Sequence, residues 1–191
     1  MRKLVYYAAV SLDGYIAGPQ GEYDFYPISA DMMAWINPRY PETVPTQIRE
    51  SVGMALDTPN KTLDTVLMGR GAYEPGLAQG ATSPYNHLKQ YVFSSTLAPV
   101  DNPQVEIVDT DPVELVRRLK KEAGLDIWLC GGGNLAGQLL GEVDELIIKS
   151  YPVIAGDGIG LFTGNFQPTQ FKVTQREFFS SGAQITWFDR A

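Results

Sequence analysis

The chain has 191 residues, enough for one domain that removes roughly 70% of its unfolded surface from water. Apolar residues make up 44% and charged residues 19%, an ordinary globular composition, and no apolar run approaches the roughly 18 residues of a membrane span. Against 22 acidic residues there are 15 basic ones, so the net charge is −7 with no basic cluster, which argues against nucleic acid as a partner. A single cysteine, Cys130, cannot close an internal disulfide, and a single histidine, His87, gives no metal cluster.

Met1-Arg2-Lys3 precedes an apolar run, Leu4 to Val10, that is too short for a signal peptide and lacks a small-residue cleavage site. It reads as a fully buried first strand, and a cytoplasmic location is expected. Ser11 to Tyr26 is a loop rich in glycine and aromatics. Loops of this length are often binding loops or lids, though aromatics packed back on the core would serve equally. Ala30 to Trp35 predicts a short helix. Pro38, Pro41 and Pro45 then break the pattern, and Thr46 to Leu56 predicts a second helix with Ile48, Val52 and Leu56 on one face.

Val66-Leu67-Met68 is a short buried strand. A helix starts at Gly69-Arg70-Gly71-Ala72-Tyr73-Glu74, and Pro75-Gly76 is expected to end it. Tyr91-Val92-Phe93 and Val105 to Val108 are further strands. Asp111-Pro112-Val113-Glu114 combines a capping aspartate, a proline at the first helical position and a glutamate three residues after the cap. Val116, Leu119 and Ala123 form the buried stripe of that helix, and Gly124 stops it. Ile127 to Cys130 has no polar break and reads as a strand buried on both faces. Three glycines follow, and then a helix marked by Leu135, Leu139 and Leu140. Glu145 to Ser150 is another central strand. Phe171 to Phe179 and Ala183 to Phe188, around Ser180-Ser181-Gly182, read as a closing antiparallel hairpin. Alternation of strands and helices from 64 to 150 predicts a mainly parallel sheet with helices on both faces. No linker divides residues 1–191.

Three strand ends carry small or hydroxyl-bearing residues: Met68-Gly69-Arg70, Phe93-Ser94-Ser95-Thr96 and Cys130-Gly131-Gly132-Gly133. In a parallel sheet they lie along one carboxyl edge, where ligands bind α/β sheets. A strand-to-helix glycine turn offers unpaired N–H groups and lets a phosphorylated cofactor approach the backbone. It is also simply a tight turn, and a lone glycine fingerprint leaves both readings open. Gly131-x-Gly133-x-x-x-Gly137 is similar to a Rossmann fingerprint, but it falls late in the chain, and Lys149 and Ser150 stand where that fold has an acid. No nucleophile elbow or acid–base set is visible. His87 reads as a surface residue and Cys130 as a core thiol. Asp13 either builds a turn with Gly14 or points into the site. Such a chain fits chemistry carried by a bound cofactor.

The sequence resembles the dihydrofolate reductase-like superfamily, in particular the reductase domain of the riboflavin-biosynthesis deaminase-reductase and its stand-alone bacterial relatives. The motifs are Ala9-Val10-Ser11-Leu12-Asp13-Gly14-Tyr15-Ile16-Ala17, Met68 to Glu74, Val92 to Leu97, Cys130 to Gly133, Val143-Asp144-Glu145-Leu146 and Pro152 to Gly158. The resemblance implies a mixed, mainly parallel α/β sheet with a reversed last strand, NADPH as hydride donor, a small heterocyclic substrate and a homodimer. It implies that Ala9 and Ile16 hold the nicotinamide carboxamide and that Gly69, Arg70, Gly71 and Ala72 meet the pyrophosphate. Ser94, Ser95 and Thr96 would take the adenosine 2′-phosphate. Gly131, Gly132, Gly133, Asn134 and Leu135 would wrap the middle of the cofactor, with a cis Gly131–Gly132 bond. Asp13 and Asp31 are the candidate substrate-side acids, and Arg39, Arg49 and Lys61 the candidate cations for a phosphorylated substrate. Ser95 stands where relatives often have arginine, and Ala72 where many have threonine. A non-catalytic nucleotide-binding module and a true dihydrofolate reductase are the alternatives.

Overall fold

The computed structural model describes residues 1–191. Its core is an eight-stranded sheet. The strands are β1 (Leu4–Val10), β3 (Leu63–Gly69), β4 (Lys89–Phe93), β5 (Val105–Val108), β6 (Asp126–Gly131), β7 (Glu145–Ser150), β9 (Phe171–Phe178) and β10 (Gln184–Arg190), in spatial order β5-β4-β3-β6-β1-β7-β10-β9. The first six in that order pair in parallel, and β10 runs antiparallel to both β7 and β9. The expected mixed sheet with a terminal hairpin is therefore present. Uninterrupted apolar runs mark the central strands because both of their faces are covered.

One face packs on α3 (Pro112–Leu119) and α4 (Gly133–Leu139), through Leu115, Val116, Leu119, Leu135, Ala136 and Leu139. The other packs on α1 (Ala30–Ile36) and α2 (Arg70–Ala78), through Met32, Ile36 and Tyr73, and is rich in aromatics. Asp111 caps α3 as its sequence predicts, accepting a hydrogen bond from the Val113 N–H at 2.7 Å. That helix ends at Leu119, however, before Ala123, which is exposed.

Three local expectations change. First, α2 runs through Pro75 to Ala78. Proline removes one N–H, but fully buried Tyr73, whose hydroxyl donates to the Thr82 carbonyl at 2.7 Å, holds the turn in place. Second, the glycine-rich first loop contains β2 (Tyr15–Ala17), which pairs with β8 (Ile159–Gly160) in a separate two-stranded ribbon. Third, Thr46 to Leu56 is not an α-helix. It forms short 3₁₀ turns over Thr46–Ile48 and Glu50–Val52, after another at Pro41–Thr43.

The cause of the third change is Arg49, which is fully buried. Its guanidinium donates to the carbonyls of Pro41 and Leu56 at 3.0 Å, Thr58 at 3.2 Å and Val44 at 3.5 Å. The chain winds around that side chain, and Ile48, Val52 and Leu56 turn outward, about half exposed. Buried Glu42 does the complementary work. Its carboxylate accepts from the backbone N–H groups of Lys61, Thr62 and Leu63 at 2.9–3.2 Å.

Arg49→Ala would leave four carbonyls without donors, at a cost of at least about 3 kcal/mol. For a chain of this length that lowers the melting temperature by about 6–12 °C. A variant melting within a couple of degrees of wild type would show that Arg49 does not organise the segment.

Candidate functional site

Six parallel strands end on one edge, and the site is built there. β3 passes directly into α2 at Gly69, and β6 passes into α4 through Gly131 and Gly132. The two junctions touch: a Cβ on Gly69 would lie 3.5 Å from the Gly132 nitrogen and 3.6 Å from the Gly131 carbonyl oxygen. Gly131 has φ +124°, a conformation that favours glycine, and the Gly131–Gly132 bond is cis. A Cβ on Gly132 would meet only Ile16 Cδ1, at 3.8 Å, and one on Gly71 would meet nothing within 4 Å. The structure thus brings Ile16, Gly69, Gly131 and Gly132 together at one strand-end junction, with room for a Cβ at Gly132 and Gly71. Such a backbone cradle fits a dinucleotide.

Gly133 and Gly137 have a different role. A Cβ on Gly133 would collide with the Gly160 carbonyl, and one on Gly137 with the Thr163 carbonyl. The Thr163 N–H donates to the Gly133 carbonyl at 3.0 Å. Their spacing admits the chain after β8 against α4, so the Rossmann-like reading of these two glycines gives way to protein packing. Asn134 is exposed and Leu135 buried on that helix.

Beside the junctions lies a cleft of about 430 Å³, lined by Arg70, Ser94, Ser95, Thr96, Asp109, Thr110, Leu135 and Gln138 among others. Arg70 donates to the Thr96 hydroxyl at 2.7 Å and to Glu74 at 2.6 Å. The Ser94 hydroxyl accepts from the N–H groups of Thr96 and Leu97. Arg70 and the hydroxyl cluster, far apart in sequence, therefore share one wall. Asp109 and Gln138 had no sequence signal of their own. They reach the cleft because β5 lies beside β4 and because α4 follows β6.

On the aromatic face, under α1, is a half-open pocket of about 100 Å³. Tyr7, Lys149 and Tyr151 form its floor, Met32, Met33 and Ile36 one wall, and Thr43 to Pro45 with Ile48 and Val52 the other. Lys149 Nζ lies 4.4 Å from the centre of the Tyr7 ring and makes no hydrogen bond or ion pair. Burial pushes its pKa below the ordinary lysine value. The nearby Cys130 thiol is pushed up to about 12 by burial, which makes it a protonated core group rather than a nucleophile. Sequence reasoning missed Lys149 as a site residue. The signal was a lysine in the apolar strand Leu146-Ile147-Ile148, on the face shared by Ile147 and Tyr151.

The two expected substrate-side acids lie elsewhere. Both oxygens of Asp13 are engaged, accepting from the Ser11 hydroxyl at 2.6 Å and from the N–H groups of Ala155 at 3.0 Å and Gly156 at 2.7 Å. It ties the first turn to the loop after β7. Asp31 accepts from the Met32 and Ser180 N–H groups and ties α1 to the terminal hairpin. Neither lines the pocket. His87 is half-buried rather than a surface residue, its Nε2–H donating to the Glu42 carbonyl at 2.8 Å. The candidate phosphate-binding cations are also occupied. Arg49 is the structural hub described above, Lys61 donates to the Pro38 carbonyl, and Arg39 stacks on Trp35 at 3.7 Å.

A family model described as the RibD C-terminal domain matches residues 2–186. The chain is 32% identical over 194 residues to the uncharacterized protein YyaP of Bacillus subtilis (strain 168), covering 95% of this chain and 91% of YyaP. It is 29% identical to YwjB of the same organism, covering 96% of each. Among solved structures, a protein named for riboflavin biosynthesis from Shewanella sp. PV-4 superimposes with a TM-score of 0.71 at 23% identity, covering 99% of both chains. The Thermotoga maritima diaminohydroxyphosphoribosylaminopyrimidine deaminase/5-amino-6-(5-phosphoribosylamino)uracil reductase gives 0.65 at 17% identity, covering all of this chain and 57% of that one. Enterococcus faecalis dihydrofolate reductase complexed with NADP(H) gives 0.64 at 13%, covering 98% and 96%. These structural likenesses establish the fold.

The tether at Asp13 has a pH signature. The Ser11 hydroxyl foremost, and then the two N–H donors, hold its carboxyl down at about 2, against an ordinary 3.8. A depressed carboxyl stabilises the fold above its unfolded pKa, and that stability is lost as pH falls from about 4 through about 2. Asp13→Asn should melt below wild type at neutral pH, with the gap closing across that window. A gap that stays constant down to the lowest pH would exclude the tether.

Proposed function

Because the chain belongs to the RibD C-terminal domain family, we propose that it is an NADPH-dependent reductase delivering hydride to a small heterocyclic substrate. The observation that carries this reading is the shared sheet edge. The polar cleft with Arg70 and Thr96, the glycine junctions at Gly69 and Gly132, and the half-open pocket at Tyr7 and Lys149 belong to the neighbouring parallel strands β4, β3, β6, β1 and β7. A dinucleotide needs such a sequence of environments: a charged end, a close backbone approach, and a drier compartment for the reacting ring.

When bound, NADPH would supply the hydride, the chemistry this chain has no side chains to perform. The chain's own groups bind and orient. Arg70, Ser94, Ser95 and Thr96 would hold the adenosine phosphate, and Gly69 to Ala72 the pyrophosphate. Ala9, Ile16, Gly131 and Gly132 would hold the nicotinamide, and Leu135 would back the middle of the cofactor. Tyr7, Met32 and Tyr151 would exclude water from the substrate. The name of the Thermotoga maritima protein puts the phosphoribosylaminouracil into the assay panel as the reference compound.

The experiment measures loss of reduced nicotinamide on mixing with pterins, pyrimidine ribosylamines and small carbonyl compounds, with thermal melts in parallel. Turnover of one class is expected, along with stabilisation by NADPH that is lost in Gly132→Val. Binding of NADPH without any turnover would support the non-catalytic module, and absence of binding would overturn the reductase reading.

Cofactor choice has its own test. Arg70 is the only cation lining the cleft, and Glu74 and Asp109 bring two carboxylates to the same region. A charge-assisted phosphate contact is worth about 1.5–3 kcal/mol, so NADPH should bind about tenfold or more tighter than NADH. The margin should shrink in Arg70→Ala and widen in Glu74→Gln, which releases Arg70 from its internal partner. Equal affinity of the wild type for the two cofactors, measured by titration calorimetry, would sink this assignment.

A further inference from the structure

Lys149 is the only charged residue lining the half-open pocket; it makes no hydrogen bond or ion pair, and only the face of the Tyr7 ring lies against its ammonium. It follows three apolar residues in β7, where packing alone gives no reason for an ammonium. An ammonium partly withdrawn from water without a carboxylate is costly, and its open side faces the cavity. The register sets it directly beside Ala9 of β1, with Tyr7 against its side chain.

We propose that Lys149 anchors the substrate, and that the pocket selects a single flat apolar ring carrying a carboxylate or carbonyl oxygen. The inference rests on reading this pocket as the substrate end of a reductase site. Size supports it: an apolar cavity of about 150 Å³ holds a benzene. At about 100 Å³, this pocket admits one ring whose edge projects through the mouth. Ile48 and Val52, 46% and 44% exposed, form that mouth and extend the apolar surface. The ring edge carrying the oxygen would point inward to Lys149 Nζ, where a charge-assisted hydrogen bond forms away from water.

The same geometry disfavours a phosphorylated sugar. A phosphate calls for several converging donors, and besides Lys149 the polar side chains lining the pocket are Asn37, Thr43 and the tyrosines. Arg39, Arg49 and Lys61 are committed to carbonyls of the protein. The pocket therefore separates this chain from enzymes whose substrate carries a phosphoribosyl group.

The test uses the full chain with three probes: benzoate, toluene and ribose 5-phosphate. Benzoate should bind wild type, with affinity falling at least about tenfold in Lys149→Met, as expected for loss of a charged hydrogen bond. Toluene should bind the variant as well as the wild type or better. Lys149→Met should melt at about the same temperature or higher, since it replaces a partly buried ammonium that has no carboxylate partner with an apolar chain of similar length. In wild type, the side-chain resonance of Lys149 should shift on addition of benzoate. An unchanged benzoate affinity in Lys149→Met, an unmoved Lys149 resonance, or displacement of benzoate by ribose 5-phosphate would each overturn the proposal. Stabilisation by NADPH is read separately on the same proteins. Its absence with a Lys149-dependent benzoate site would fell the cofactor reading and leave the anchor standing.

Discussion

Strand β1 hydrogen-bonds to β6 on one side and to β7 on the other, both in parallel, and the site depends on that double pairing. It puts the carboxyl ends of three strands side by side. Through it Ala9 lies next to Lys149, and Ile16, just beyond the strand, comes over Gly131 and Gly132. Parallel pairing demands crossover connections, and these carry α3 and α4 to one face. The opposite face is covered by α1 and the winding segment around Arg49. The two faces then differ in kind. One is a mostly aliphatic layer packed on α3 and α4, and the other an aromatic-rich layer that leaves a pocket under α1.

The glycines after β6 divide their work. Gly131 is buried against Tyr6 and Ile16 in a conformation that favours glycine, and Gly132 leaves room beside Ile16, whereas Gly133 and Gly137 are small because the chain from Gly160 to Thr163 runs against them. A glycine run in sequence looks uniform, yet the physical demand changes within two residues. The same loop is held from its other end by the Asp13 carboxylate, through Ala155 and Gly156. The cradle is thus shaped by a segment that lies far from it in the chain and carries no cofactor-like motif.

Charged groups sort in the same way. Arg49, Glu42, Asp13 and Asp31 spend their hydrogen-bonding capacity on backbone groups of irregular segments, which would otherwise be left unpaired. Arg70 is shared between Glu74 and Thr96, so it stands in an exposed cleft and can exchange partners. Lys149 is only partly buried, and the Tyr7 ring alone lies beside its ammonium. The distinction between a structural charge and an available one lies in what surrounds it, since the residue types are the same.

The sequence by itself determined the strands of the parallel core, the cap of α3, the terminal hairpin and the glycine junctions at one sheet edge. Each of these rests on short-range signals: apolar runs, a capping pattern, a turn, a residue without a Cβ. The pairing of Arg70 with the Thr96 region was also legible, because strand ends in a parallel sheet share an edge. Tertiary structure alone decided the rest. Thr46 to Leu56 carries a helical apolar period, but the buried Arg49 guanidinium gathers carbonyls from Pro41 to Thr58 and turns that stripe outward. Asp13 reads as either a turn-builder or a site acid, and Asp31 as a candidate substrate-side acid, until long-range backbone donors from Ala155, Gly156 and Ser180 claim them. Lys149 reads as a strand-end charge until α1 and the 3₁₀ segment close over it. In each case the deciding partner lies several to more than a hundred residues away, and local pattern carries no information about which polar groups a fold will leave free.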